Sequence, residues 1–135
     1  MTVLGKILDI DLSAGTCNVS PFPEELIWQY LGGRGFNVQY LYNHLPADAD
    51  PLGPENLLIF SCGLLTGTSV PASARLHINA RSPLTGLLGS SNVGGGFGAQ
   101  LRSCGIQSLI FRGRAPEPVY LWIDGDSIEI RNAKS

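Results

Sequence analysis

Apolar residues alternate with polar ones at the start of the chain, with Leu8, Ile10 and Leu12 separated by Asp9 and Asp11. A period of two is that of a strand. Ser13-Ala14-Gly15-Thr16 reads as a turn and Cys17-Asn18-Val19-Ser20 as the returning strand of a hairpin, with Asp9 and Asp11 facing solvent. The period then changes. Over 23–31, Leu26, Ile27, Tyr30 and Leu31 form a helical stripe, with Pro23, Glu24 and Glu25 in the first turn and Gly32-Gly33 as the stop. A second helix is predicted over 35–44, with Phe36, Tyr40 and Leu41 on one side and Pro46 beyond its end.

Residues 47–56 are rich in Pro and Asp and read as a surface loop. The run Leu57-Leu58-Ile59-Phe60 predicts a buried strand. Over 75–81 the alternation returns: Leu76, Ile78 and Ala80 point one way, and Arg75, His77, Asn79 and Arg81 the other. That polar face reads either as the lining of a ligand surface or as an ordinary half-exposed strand. Residues 82–86 turn the chain, 99–105 form a short helix closed by Gly105, and 108–112 form a strand. Strands over 119–123 and 127–131 pair across Asp124-Gly125-Asp126. The fold class expected is α+β, mostly antiparallel sheet with three short helices, in one domain over 1–135.

Composition narrows the function classes. The chain is 44% hydrophobic and 15% charged, with a net charge of −2. The charge fraction lies below the ~25% usual for globular domains, which is consistent with a surface meant to be covered. The charge balance gives no nucleic-acid footprint. No apolar run reaches the ~18 residues of a membrane span, and the first residues lack the apolar segment of a signal peptide; a cytoplasmic protein with no membrane partner is expected. Cys17, Cys62 and Cys104 show no paired spacing and read as structural thiols, and His44 and His77 are isolated.

The stretch from Cys62 to Gly105 contains no Asp or Glu but holds Arg75, Arg81 and Arg102 and many of the glycines. Backbone N–H groups in glycine-rich turns form concavities that attract anions. Two loops, 63–75 and 90–98, therefore read either as a cradle for a phosphate-bearing ligand or as tight turns between strands. Arg34, between glycines, reads equally as a ligand contact or an exposed charge near a helix end. No Lys-Ser or Lys-Thr follows a glycine as a P-loop requires, and Gly94-Gly95-Gly96-Phe97-Gly98 lacks the dinucleotide-binding spacing. A nucleotide or flavin domain is thus disfavoured.

Several ordered motifs resemble the N-terminal domain of the tungsten-dependent aldehyde ferredoxin oxidoreductases. They are Leu31-Gly32-Gly33-Arg34-Gly35, Asp50-Pro51-Leu52-Gly53-Pro54-Glu55-Asn56, Leu64-Leu65-Thr66-Gly67-Thr68, Pro71 to Arg75, Arg81-Ser82-Pro83-Leu84-Thr85-Gly86, and Asn92 to Gly98. The resemblance spans nearly the whole chain. It implies two sheets forming a base for a flat cofactor: tungsten (or molybdenum) held by two pterins, whose phosphates are bridged by Mg²⁺. By the same resemblance, Arg75, Gly94 and Gly95 belong to the pterin site, and Asn92 gives a backbone oxygen to Mg²⁺. The implied reaction is aldehyde oxidation to a carboxylic acid with ferredoxin as electron acceptor. Family enzymes are several times longer, and their later domains carry the [4Fe–4S] cysteines and the acid–base groups. No catalytic residue is therefore expected in this chain. The alternative expectation is a truncated, non-catalytic paralogue or subunit that carries a pterin or docks on a partner.

Overall fold

The structure, a computed structural model, describes residues 5–134. The elements in chain order are β1 (Lys6–Asp11), β2 (Thr16–Pro21), α1 (Glu24–Tyr30), α2 (Gly33–His44), β3 (Leu58–Cys62), β4 (Leu76–Arg81), β5 (Leu88–Val93), α3 (Phe97–Ser103), β6 (Ile106–Arg112), β7 (Val119–Asp124) and β8 (Ser127–Asn132). Six strands form one sheet in the order β2-β1-β6-β3-β4-β5, and β7-β8 is a separate two-stranded sheet. Among the described residues β1 and β6 pair in parallel and the other strand pairs are antiparallel. The α+β expectation holds, with one parallel pair added because β6 returns late in the chain to lie between β1 and β3. Ile106 to Ile110 are all buried, as a strand covered on both faces requires.

Each face of the six-stranded sheet carries its own core. Helices α1 and α2 cover Ile7, Ile59 and Ile110 with Ile27, Phe36 and Leu41. On the opposite face Leu8, Ile10, Cys62, Leu76 and Leu109 pack with Leu101 of α3, and the β7–β8 hairpin adds Leu121, Ile123, Ile128 and Ile130. The two faces expected for residues 76–81 are observed, but the polar face is not simply half-exposed. Asn79 is buried beneath α2. Its Oδ1 accepts a hydrogen bond from Asn37 Nδ2 at 2.9 Å, and its Nδ2 donates to Gly89 O at 3.1 Å. Asn37 Nδ2 also lies 3.2 Å from His77 O and 3.4 Å from Ile59 O.

Local differences from the sequence expectations have identifiable causes. Asp9 does not face solvent freely: it pairs with Arg112 across the β1–β6 ladder. Asp11 Oδ1 accepts from Ser13 N and Ala14 N, both at 2.9 Å, and so shapes the hairpin turn. The first helix ends at Leu31, which takes φ 57°, followed by Gly32 at φ 71° and Gly33 at φ 53°. Three successive residues of positive φ reverse the chain between α1 and α2. Residues 90–93, expected in a loop, form the end of edge strand β5. Ser90, Ser91 and Asn92 lack β-branched or aromatic character, so propensity gave no strand signal there; pairing with β4 decided it. Among the described residues no helix is long and apolar enough to cross a membrane.

Replacing Asn37 by Leu strands the buried Asn79 Oδ1 and loosens α2. The expected loss is about 1–3 kcal/mol of unfolding free energy, seen as a lower urea midpoint with an unchanged slope. An unchanged midpoint would show that the amide does not hold the helix.

Candidate functional site

The site is built at the end of the sheet where β3 stops and β4 begins. Gly32 forms an isolated bridge with Gly63, and Leu64 N donates to Leu31 O at 3.2 Å. The start of α2 is thereby tied to the first glycine loop. A Cβ on Gly32 would come within 2.9 Å of Cys62 O and 3.0 Å of Gln107 Nε2. Gln107 is buried and donates to Cys62 O, so it fixes the strand end from behind. The sequence reading gave it no role; its one signal was a polar residue ahead of the apolar run that becomes β6.

Loop 63–75 is stapled by its own side chains. Thr66 is buried and its hydroxyl donates to Arg75 O at 3.0 Å. The Thr68 hydroxyl donates to Leu65 O at 2.7 Å, and Ser73 Oγ lies 2.9 Å from Leu65 O and 2.8 Å from Val70 O. These hydroxyls satisfy the loop's own carbonyls.

The β4–β5 register gathers the four residues singled out from sequence. His77 pairs with Asn92, and Leu76 with Val93. Arg75 and Gly94 follow at the same open end of the strand pair, and Gly95 continues the turn. Residues 92–95 are exposed, as is Arg75. Asn92 is a strand residue with negative φ, so it needs no left-handed tolerance. A Cβ added to Gly94, Gly95 or Gly96 would meet nothing within 4 Å, which leaves this backbone open to a flat ligand. Gly95 alone of these three has a positive φ, 88°.

Against the loop lies a cleft of about 420 Å³ lined by Leu31, Gly63, Leu64, Arg75 and His77 among others. The His77 ring packs against the first turn of α2, its Cδ2 3.4 Å from where a Gly33 Cβ would stand. Desolvation holds the His77 pKa below its ordinary 6.5, and the nearby charges of Arg34 and Arg75 press it down further. No carboxylate lines the cleft. Cys62 is buried behind it, and burial pushes its thiol up to about 11, the behaviour of an inert structural thiol. Cys17 and Cys104 are partly exposed free thiols. Among the described residues there is no cluster of His, Cys, Asp and Glu suited to a metal ion. A metal here would have to be held through backbone oxygens and a ligand's own donors.

Residues 7–135 match the family model described as aldehyde ferredoxin oxidoreductase, N-terminal domain. The chain is 44% identical over 129 residues to the tungsten-containing aldehyde ferredoxin oxidoreductase of Pyrococcus horikoshii, covering 96% of this chain and 21% of that protein. It is 35% identical over 132 residues to the aliphatic sulfonate oxidoreductase, WOR-like subunit, of Pyrococcus furiosus, again 21% of its length. Among solved structures, the active site complex BamBC of benzoyl coenzyme A reductase, in complex with 1,5-dienoyl-CoA, matches with a TM-score of 0.93 and 40% identity. That match covers 96% of this chain and 20% of the other. The chain thus spans about a fifth of the length of the relatives it matches.

The lowered His77 pKa sets a pH dependence. In the unfolded chain His77 takes up its proton near the ordinary value; in the folded chain it does so only at lower pH. As pH falls between these two values the unfolded state binds more protons, so stability declines, and below both the loss is complete. Urea midpoints measured downward from pH 7.5 should fall less steeply in His77→Gln than in the parent chain. Identical profiles would remove His77 as a source of acid sensitivity.

Proposed function

Since this chain belongs to the aldehyde ferredoxin oxidoreductase family, as its N-terminal domain, we propose that it seats a tungsten (or molybdenum) bis-pterin cofactor within a larger oxidoreductase. The observation that carries this reading is the open end of β4–β5. There an unobstructed glycine backbone lies beside Arg75 and a carboxylate-free cleft. The donor set fits the group. Arg75 offers a rigid, permanently charged fork to a phosphate or a pterin edge. The backbone oxygen of Asn92 offers Mg²⁺ a hard ligand to share with phosphates. Gly94 and Gly95 let the ligand reach the main chain without a side chain between.

Bound there, the metal–pterin group supplies two-electron redox chemistry. The chain's own residues bind and orient it. With no carboxylate in the cleft, and with His77 held toward its neutral form, proton transfer belongs to the remaining four-fifths of an enzyme of the relatives' length. The [4Fe–4S] cluster and the docking of ferredoxin belong there too. The reaction proposed is oxidation of an aldehyde to a carboxylic acid with ferredoxin as acceptor. A second reading, an aromatic acyl-CoA reductase, is favoured by the benzoyl coenzyme A reductase complex, whose 40% identity is close to the 44% of the aldehyde enzyme. A segment that seats cofactor rather than substrate is compatible with either chemistry. The chain alone should not turn over an aldehyde with a viologen dye; turnover by it would overturn the assignment of catalysis to other segments.

The test of the seat is a chimera in which this chain replaces the matching segment of the Pyrococcus horikoshii enzyme, followed by metal analysis and pterin fluorescence after release. Arg75→Ala removes a charge-assisted contact worth roughly 1.5–3 kcal/mol, a tenfold to hundredfold loss of affinity. Asn92→Ala keeps the backbone oxygen and should cost less. Gly94→Val should cost the most in cofactor while leaving folding intact, because its side chain meets only the ligand's space. Equal cofactor content in all variants, or an unmutated chimera that folds without cofactor, would sink the reading.

A further inference from the structure

Seven of the nine Lys and Arg side chains are already engaged. Lys6, Arg112, Arg131 and Lys134 form ion pairs with Asp126, Asp9, Glu129 and Glu117. Arg81 donates to Ala47 O and Gly86 O, and Arg114 to Leu52 O. Arg102 is buried beside Cys62 and loop 63–75. The side chains of the remaining two, Arg34 and Arg75, make no hydrogen bond or ion pair among the described residues, although the Arg75 carbonyl accepts from Thr66. They stand 41 residues apart in sequence, yet both act on the same histidine.

The fold explains this convergence. Arg75 lies just before β4 and lines the same cleft as His77. Arg34 follows Gly33, against which the His77 ring packs. One turn further along α2, Asn37 anchors the helix to His77 O and Asn79. Arg34 lines a neighbouring cleft with Tyr30, Gln39 and Tyr42, and no carboxylate is present in either cleft. Two like charges brought close without a counter-charge repel each other; an anion between them reverses the sign of that interaction. Both are arginines, whose forks match phosphoryl oxygens in two-point geometry.

We infer that Arg34 and Arg75 form a clamp on either side of His77 that holds one phosphoryl or pyrophosphoryl group. Arg34, which the cofactor-seat reading does not use, is the second binding residue. The inference rests on that reading for the source of the phosphate and adds to it the α2 side of the site.

The test is calorimetric titration of the 135-residue chain with inorganic pyrophosphate, with circular dichroism confirming the fold of each variant. Arg34→Ala and Arg75→Ala should each weaken binding about tenfold or more. The double variant should lose less than the product of the two, because both side chains hold one anion. Arg114→Ala, remote from the cleft, should bind as the parent does. If Arg75→Ala weakens binding and Arg34→Ala does not, the clamp is wrong and the Arg75 seat survives. If the parent chain binds no pyrophosphate at millimolar concentration, clamp and phosphate seat fall together. Equal loss in Arg114→Ala would reduce the effect to net charge and overturn the clamp.

Discussion

Helix α2 is fixed to the sheet by a buried amide. The two hydrogens of Asn37 Nδ2 are shared among Asn79 Oδ1, His77 O and Ile59 O, and Asn79 passes the connection on to Gly89 O. One helix and three strands, β3, β4 and β5, are thereby held in one register. Apolar packing of Phe36 and Leu41 supplies adhesion, but it is tolerant of small slides. A directional amide is not: a shift of an ångström would leave buried polar groups unpaired. The first turn of α2, and with it Arg34, takes its place against His77 because of this constraint.

The site inherits its shape from that arrangement. Loop 63–75 closes on itself through hydroxyl-to-carbonyl bonds, and Gln107 supports the junction of Gly32 and Gly63 from below. These are stiff parts. The glycine turn at 94–96 is the opposite, with no neighbouring atom where side chains would stand. Stiff walls with an open, side-chain-free edge suit a ligand that is flat and anionic. The acid-free lining keeps the local potential positive even though the chain as a whole carries a net charge of −2.

Relatives with different printed activities share this segment at similar identity: an aldehyde oxidoreductase, an aliphatic sulfonate oxidoreductase subunit and a benzoyl coenzyme A reductase complex. On the proposed reading, a segment that seats a cofactor meets the same geometric demands whatever the substrate.

The sequence by itself determined most elements, because their periods were clean. The β1–β2 hairpin, helices α1 and α2, strands β3 and β4, and the β7–β8 hairpin were all legible from alternation, helical stripes and turn residues. It also placed the carboxylate-free glycine stretch, through composition, and it pointed to Arg75, Asn92, Gly94 and Gly95 through resemblance. Three things needed the tertiary structure. Strand β5 exists because β4 offers a free edge to Ser90, Ser91 and Asn92, residues with little strand preference of their own. Asn79 alternates with apolar neighbours as a solvent-facing residue would, yet it is buried, because α2 lies over it and Asn37 satisfies it. The start of α2, which carries Arg34, and the start of β4, which Arg75 precedes, come to one histidine only because the Gly32–Gly63 bridge and the Asn37 amide bring the two elements together. Local periodicity reports which face of an element is apolar; it carries no information on which distant polar group will come to rest against the other face.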